Sequence, residues 1–383
     1  MDKPVRVLHV ISAMTSGGTE SFIMYQYRHM DRDKVQFDFL TSRAGEYIYN
    51  EEIRRMGGTI YLIKPPTEQG AWGFVKDIRR ILKADPSIRV VHAHTFLNCG
   101  LAMLGAFLGG AKIRISHSHQ ARHFVHKGLK RKLYNLTMRA LIKLFATDYF
   151  ACGNAAGENL YGKAFYGKKG RFIPNAIEFS RFDNVKNEDK AALKREFDIP
   201  ENVPVYTNIG RFMKQKNHAY IIKIAKQLMD SGHDYRMFLV GEGELLPEIK
   251  RLAEQNNLSE KLIFTGARRD IPAILGITDV FILPSLFEGL PVTVIEAQAS
   301  LVPSVCSTEV TKQADAGMGL VDFVGITDED LPKWEDAIKK SEKKNNFDRD
   351  AVYARLRELG YDNEENARRL SEVYLRAEQK SGI

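Results

Sequence analysis

Short runs rich in β-branched and aromatic residues alternate along this chain with longer stretches whose apolar residues recur every three or four positions. The runs 5–11, 35–40, 59–63, 90–94, 113–117 and 148–151 predict strands, and 21–30, 47–56, 74–83, 97–108 and 130–144 between them predict helices. The pattern then restarts, with strands over 205–209, 237–240, 262–264, 280–283 and 304–306 and helices over 217–230, 245–256, 271–275 and 292–299. Strands alternating with helices imply parallel sheets covered on both faces. The expected fold is α/β: two doubly wound, Rossmann-like domains facing a cleft. Residues 1–178 are the first domain, the charged segment 179–203 is a linker, and 204–345 are the second domain. In the tail 346–383, helices broken near Gly360 offer only a narrow apolar face (Val352, Leu356, Leu359, Leu370, Val373) and are expected to return toward the first domain.

Composition narrows the class. A length of 383 residues suits two domains, and 44% apolar with 27% charged residues is ordinary for a globular protein. Cys99, Cys152 and Cys306 are odd in number and widely separated, so a reducing, cytoplasmic setting is expected. The start of the chain reads as a strand and tight loop, not a secretory signal. The longest uncharged stretch, 90–111, is broken by His92, His94, Thr95, Asn98 and glycines, which is wrong for a membrane span. The net charge of +8 is uneven: Arg122, Lys127, Lys130, Arg131, Lys132, Arg139 and Lys143 fall in one stretch without an acidic residue. Such a patch points to an anionic surface or substrate. Leu129, Leu133, Leu136, Ala140 and Leu144 share one helical face within it. That face belongs either to the domain core or to an anionic membrane, with Lys127, Lys130, Arg131, Lys132 and Arg139 as the membrane or acceptor patch.

In open α/β sheets ligands bind beyond the carboxyl ends of the strands, and the unusual residues fall there. Gly17-Gly18 precedes a helix, where bare backbone admits a ligand to free N–H groups. Gly210-Arg211 and Lys216 follow a strand, and the two cations can meet one diphosphate at the head of the next helix. Gly241 and Gly243 follow another strand and permit close backbone approach, or simply a turn. Then comes Glu288-Gly289-Leu290-Pro291, with Pro291 suited to the first helical position. The N–H groups of Gly289, Leu290, Val292 and Thr293 form an anion site. Glu296 lies about 7.5 Å further along the axis, where it can accept hydrogen bonds from a ribose. Glu288 stays near the mouth, where a sugar would lie.

These residues closely resemble the retaining glycosyltransferases of family four, which have the two-domain GT-B fold. The Glu-x7-Glu pair is Glu288 and Glu296, and the Gly-Arg-x4-Lys element is Gly210, Arg211 and Lys216. The Gly-Gly loop is Gly17-Gly18, the Pro-Asn pair is Pro174-Asn175, and the strand-end histidine is His119, with His117 as the other register. The segments Arg114–His119 and Glu296–Ala299 look like members that build capsular or exopolysaccharide. The resemblance implies transfer of a hexosyl or N-acetylhexosaminyl unit from a nucleotide diphosphate sugar, UDP-linked, to a lipid-linked saccharide, with retained configuration. It implies Glu288, Arg211, Lys216 and His119 as catalytic residues. Gly17, Gly18, Gly210, Gly241, Gly243, Gly289, Leu290 and Glu296 join Arg211, Lys216 and Glu288 around the donor. Peripheral contact with the inner face of the cell membrane follows from the lipid-linked acceptor. Three positions depart from the family pattern: Asn217 and Leu301 stand where glycine is common, and Thr19 where alanine is.

No cofactor and no metal are expected. Asp31-Arg32-Asp33 and Asp348-Arg349-Asp350 read as helix-boundary residues, and His92, His94, His117 and His119 lack Cys or carboxylate ligands at zinc spacing. A nucleotide-sugar epimerase of the same fold is the nearest alternative enzyme. A basic nucleic-acid-binding protein is the alternative from another class, but it leaves Glu288 and Glu296 unexplained, and no nucleic-acid partner is expected. A nicotinamide oxidoreductase would need Gly-x-Gly-x-x-Gly, which is absent after the first strand.

Overall fold

The computed structural model describes residues 3–15, 17–119, 128–344 and 346–379. The chain divides into two units, Met1–Ala176 with Asn363–Ile383, and Ile177–Asp362. In the first unit, β1 (Val5–Val10), β2 (Val35–Thr41), β3 (Ile60–Leu62), β4 (Ile88–Ala93), β5 (Ile113–Ser118), β6 (Asp148–Ala151) and β7 (Gly170–Phe172) form one parallel sheet, ordered β3-β2-β1-β4-β5-β6-β7. In the second, β8 (Val205–Ile209), β9 (Arg236–Val240), β10 (Leu262–Gly266), β11 (Val280–Leu283), β12 (Ser304–Ser307) and β13 (Val321–Val324) form a parallel sheet, ordered β10-β9-β8-β11-β12-β13. The strand order reverses between β1 and β4 and again between β8 and β11, so each unit has a topological switch point.

Alternation along the strands supplies both faces of the first sheet. Leu8, Val10 and Val91 join one apolar cluster with residues of the helices Pro66–Ala84 and Cys99–Gly109, while Val7, Val90 and Ile115 join another with Phe22, Ile23 and Leu370. The tail divides at Gly360: helix Arg349–Glu358 belongs to the second unit and helix Asn363–Gln379 to the first. Its apolar face is wider than the sequence pattern implies because Tyr353, Tyr361 and Tyr374 are buried beside the aliphatic residues. Residues 179–203, expected as a linker, carry the helices Ser180–Asp183 and Asn187–Glu196 and lie within the second unit, with Phe182, Leu193 and Ile199 buried.

Both departures at glycine positions have one backbone explanation. Asn217 has φ of 55° and Leu301 has φ of 61°, in the left-handed region that glycine occupies without strain. Asparagine tolerates it. Leu301 follows the helix Val292–Ala299, whose end is closed by Leu301 N–H to Gln298 O at 2.9 Å and Val302 N–H to Ala297 O at 2.8 Å. The turn geometry of a glycine cap is thus kept by a leucine that bears the strain. Leu301→Gly is expected to raise stability by about 0.5–1 kcal/mol, the relief of a left-handed leucine less the entropy of glycine, read as a higher urea midpoint with unchanged slope.

The parallel register also gathers five histidines. His9 lies opposite His92, and His92 opposite Ile115. Two-residue alternation therefore sends residues 9, 92, 94, 117 and 119 to one face at the carboxyl ends of β1, β4 and β5. Burial drives the pKa of His9 and of His119 down to about 3 and lowers those of His92, His94 and His117, each of which the neighbouring histidines lower further. The folded values lie below the free value of 6.5, so the unfolded chain takes up protons first. For His9 and His119 the contribution to stability is complete above pH 6.5 and is lost as pH falls toward about 3. Each of these two rings removes about 1.4 kcal/mol per pH unit in that window. The unfolding midpoint should fall between pH 7 and pH 5, and His9→Phe should flatten that slope. Parallel slopes for the two proteins would show that His9 does not remain neutral in the fold.

Candidate functional site

In the second unit the loops after β8 and β11 meet at the switch point. Leu286 N–H donates to Gln215 O at 2.8 Å, and Asn217 Nδ2 donates to Pro284 O at 3.1 Å. Across this junction Lys216 Nζ pairs with Glu288 Oε1 at 2.7 Å. The Glu288 carboxylate also accepts from Ser285 Oγ at 2.9 Å and Gln215 Nε2 at 3.2 Å, and its side chain is only 8% exposed. Lys216 therefore shares its charge with Glu288, leaving two of its three ammonium hydrogens for a ligand. Arg211 lies exposed just past the end of β8, with no ion pair among the described residues.

The glycines here serve different purposes. A Cβ on Gly241 would come within 2.2 Å of Gly210 O, and one on Gly243 within 2.3 Å of Phe212 O, at φ of 141° and 157°. What these two glycines admit is the neighbouring loop: Gly210 N–H donates to Val240 O at 2.9 Å and Phe212 N–H to Glu242 O at 2.8 Å. Gly289 and Leu290 are half-buried ahead of the helix. Pro291 is the residue before the first turn and not the first helical residue, so the helix begins at Val292.

Glu296 is the unusual carboxyl. It is half-buried one turn into the helix and has no hydrogen bond from the described residues. Burial raises its pKa to about 7, and Arg181 acts in the opposite direction. Thr293 Oγ1, three residues earlier on the helix, is buried without a partner. A buried hydroxyl without a partner is costly unless a ligand satisfies it. Gln298, by contrast, is committed to structure: it donates to Ala314 O at 2.7 Å and accepts from Ala316 N at 2.9 Å.

Several residues here carry no signature in the sequence. Gln215 and Ser285 orient Glu288, and Arg181, which acts on Glu296, lies in the charged segment 179–203. His218 stacks on Phe212 with centroids 4.0 Å apart, neither ring nitrogen has a hydrogen bond, and burial followed by the Lys216 charge lowers its pKa to about 4.

In the first unit Gly17 precedes the helix Gly18–His29 with φ of −74°, which any residue adopts, so its value is the bare Cα. Asn175 Nδ2 lies 4.0 Å from where a Cβ on Gly18 would stand, and Asn175 Oδ1 is buried and unpartnered. His117 is fully buried. His119 is half-buried, and its Nε2 meets His94 Nδ1 at 2.9 Å. Phe22, from the helix after Gly17-Gly18, lies against both rings, with centroids 5.3 and 5.7 Å away. Beyond β1, β2 and β4 opens a cavity of about 560 Å³ lined by Ser12, Ser42, Arg43, Thr67, Thr95 and Asn98 among others. Arg43 is exposed there and has no ion pair among the described residues.

The basic helix spans Leu129–Phe145 and buries Met138 and Ile142. The leucine stripe is not core: Leu129, Leu133, Leu136 and Leu144 are 83, 64, 56 and 73% exposed. Lys130, Arg131 and Lys132 are exposed beside it. Arg139 leaves the expected patch, since its guanidinium donates to Asn159 O at 2.7 Å. Lys127 and Arg122 lie outside the described residues. Among the described residues no helix is long and apolar enough to cross a membrane.

Both Asp-x-Asp sequences are turn or cap residues. Asp31 accepts from Asp33 N–H and pairs with Lys34, and Asp348 caps a helix by accepting from Asp350 and Ala351 N–H. Two histidine groups, His9-His92-His94 and His94-His117-His119, place their ring nitrogens within 4.8 Å of one another, a proximity that residue spacing alone did not reveal.

Comparison with known proteins accords with this geometry. Residues 16–181 match the family model described as Glycosyltransferase Family 4, and residues 189–316 match Glycosyl transferases group 1. The chain is 36% identical to glycosyltransferase EpsF of Bacillus subtilis over 96% of both chains. It is 30% identical to the UDP-Gal:alpha-D-GlcNAc-diphosphoundecaprenol alpha-1,3-galactosyltransferase of Escherichia coli over 79% of each. A glycosyltransferase structure from Rickettsia africae shares the fold with a TM-score of 0.80 at 18% identity, covering 99% of this chain and 100% of that one. With a parallel sheet in each unit, both family models matched and a relative of this identity along almost its whole length, the chain belongs to glycosyltransferase family four.

Proposed function

We propose that this protein transfers a hexosyl or N-acetylhexosaminyl unit from a UDP-sugar to a lipid-linked saccharide in the synthesis of a surface polysaccharide, with retained configuration. The observation that carries the reading is the Lys216–Glu288 pair at the β8/β11 switch point, in the same unit as exposed Arg211, half-buried Glu296 and the unpartnered Thr293 hydroxyl. A diphosphate needs fixed cations, which Arg211 and Lys216 supply; a ribose needs a hydrogen-bond acceptor, which Glu296 supplies. Glu288 is oriented by Gln215 and Ser285 to receive a hydroxyl of the donor sugar. The cations stabilise charge on the departing UDP, the acceptor oxygen attacks from the same face, and its proton passes to the departing phosphate oxygen. The E. coli relative's name specifies a UDP-linked donor and a diphosphoundecaprenol-linked acceptor, which favours the same classes here. The cavity carrying Arg43 suits a phosphorylated saccharide acceptor. Two cations and helix N–H groups supply the positive charge a metal would bring, so the proposed transfer is metal-independent.

The test is transfer from UDP-hexoses to an undecaprenyl-diphosphate-linked sugar in EDTA, with UDP affinity measured by calorimetry. Arg211→Ala should weaken UDP binding by roughly ten- to hundredfold, the value of about 1.5–3 kcal/mol for a charged hydrogen bond, and leave the melting temperature unchanged because no internal ion pair is lost. Lys216→Ala should weaken binding similarly and also lower the melting temperature, since it strands buried Glu288. Wild-type UDP affinity in both variants would remove the donor assignment, and activity that EDTA abolishes and Mn²⁺ restores would remove metal independence.

The exposed leucine face, bordered by Lys130, Arg131 and Lys132, is proposed to rest on an anionic membrane, each cation near the surface contributing about 1 kcal/mol. Sedimentation with anionic vesicles should recover the protein at low salt, lose it at high salt, and lose it on changing all three cations to Glu. Equal recovery of wild type and triple variant would leave the helix an ordinary solvated one.

A further inference from the structure

One apolar cluster of the first sheet draws residues from three helices: Val75, Ile78 and Leu82 of Pro66–Ala84, Ala102 and Ala106 of Cys99–Gly109, and Met138 and Ile142 of Leu129–Phe145. Glycines of the middle helix set their spacing. A Cβ on Gly105 would come within 3.0 Å of Ile78 Cβ, one on Gly109 within 2.5 Å of Leu82 Cδ1, and one on Gly100 within 2.7 Å of Met138 O. The middle helix thus has a close neighbour on each side, and the three form one layer with this cluster beneath it.

The outer side of that layer is apolar at its centre and cationic at its borders. On the first helix Trp72, Lys76, Arg79 and Lys83 are spaced four, three and four residues apart and form one exposed stripe. Trp72 is 57% exposed, and the three cations have no ion pair among the described residues. The middle helix carries no charged residue, and its last turn exposes Phe107 and Leu108. Phe107 lies 5.1 Å by centroid from Phe145, at the end of the third helix beside exposed Leu144. On its other side Lys83 Nζ is 4.0 Å from where a Cβ on Gly110 would stand. The stripe of the first helix, the end of the second and the leucines of the third are therefore neighbours. Across residues 71–83, 99–112 and 128–145 the one acidic residue is Asp77, which Arg80 pairs at 2.8 Å.

A contiguous exposed apolar surface marks an interaction site. A second copy of this chain placed face to face on it would set these cations against one another. An anionic lipid surface accepts both parts: apolar side chains enter its boundary, cations meet its phosphates, and tryptophan is enriched at that depth. We propose that the outer side of all three helices, and not the basic helix alone, is the membrane-contact surface, with Trp72 in the lipid interface and Lys76, Arg79 and Lys83 on anionic headgroups. This deepens the membrane contact proposed for the basic helix and rests on it.

The test is tryptophan fluorescence of the full chain with phosphatidylglycerol or phosphatidylcholine vesicles. Of the two tryptophans, Trp334 is fully buried and donates Nε1–H to Gly325 O at 2.6 Å, so Trp72 reports the exposed surface. On phosphatidylglycerol the emission should move to shorter wavelength and be quenched by bromine carried on the acyl chains. Phosphatidylcholine should produce neither response, and Trp72→Phe should lose both while still sedimenting with anionic vesicles. Changing Lys76, Arg79 and Lys83 together to Glu should weaken vesicle binding at least about tenfold, whereas the same change at Lys186, Arg195 and Lys340 of the second unit should leave it within about twofold. Unchanged Trp72 emission while the wild type sediments would overturn the proposal and leave the basic helix as the contact. Equal losses from the two charge reversals would reduce the stripe to an effect of net charge and overturn it as well. An emission shift that grows with protein concentration without vesicles would assign the face to a second copy of the chain. Wild type that does not sediment with anionic vesicles would remove the basic-helix contact together with this extension, and sugar transfer would stand or fall separately.

Discussion

Reversal of strand order is the constraint on which the rest of the structure depends. A parallel strand needs a helix to return the chain, and where consecutive crossovers go to opposite sides of the sheet, a crevice opens at the neighbouring strand ends. In the second unit that happens between β8 and β11, and the loops that meet there are the ones carrying Lys216 and Glu288. In the first unit it happens between β1 and β4, whose ends lead to Gly17-Gly18 and to His94. Backbone contacts then hold each opening in shape. Gly241 and Gly243 bring the loop after β9 against Gly210 and Phe212, and Asn217 in a left-handed conformation ties the loop after β8 to Pro284.

Polar satisfaction separates structural from functional residues around these openings. Gln298 is buried in the same helix as Glu296, yet its amide is committed to Ala314 and Ala316. Glu296 and Thr293 have no such hydrogen bonds among the described residues, and burial raises the Glu296 pKa to about 7. Glu288 is intermediate: its charge is balanced by Lys216 and its oxygens are oriented by Gln215 and Ser285. These side chains are thus held in place by the fold itself, the kind of preorganisation that lowers the ordering cost of binding.

Much of the fold was legible because the two periods, two and about 3.6, are local properties of sequence. The runs at 148–151, 205–209 and 280–283 coincide with strands. The edge strands β7 and β13 did not show, since Gly170-Arg171-Phe172 and Val321–Val324 are short and interrupted by glycine or charge, and an edge needs apolar cover on fewer sides. The segment 179–203 looked like a linker because charge dominates its composition, while Phe182, Leu193 and Ile199 are too sparse to form a visible stripe. In the site, residues next to glycine or proline signatures were readable. Residues whose role depends on a distant partner were not: Gln215 on Glu288, Arg181 on Glu296, and His9 on His94. The leucine stripe, which the sequence assigns either to the domain core or to an anionic membrane, is not in the core. The same helix has a second apolar face, Met138 and Ile142, and that face is the buried one.

Two faces on one helix carry an energetic implication. A helix that already buries Met138 and Ile142 gains nothing in folding from four further leucines left in water. Scattered exposed leucines need no explanation, but these recur at helical spacing and are bordered by Lys130, Arg131 and Lys132. Cations at the border of an apolar stripe keep it soluble as a monomer and attract it to negative charge, two effects that a neutral polar border would not combine. Arg139 shows the contrast within the same helix: its guanidinium is bound to Asn159 O, so it serves the fold. The three cations at the start of the helix have no such carbonyl partner among the described residues, and their charge remains available to whatever surface the stripe meets.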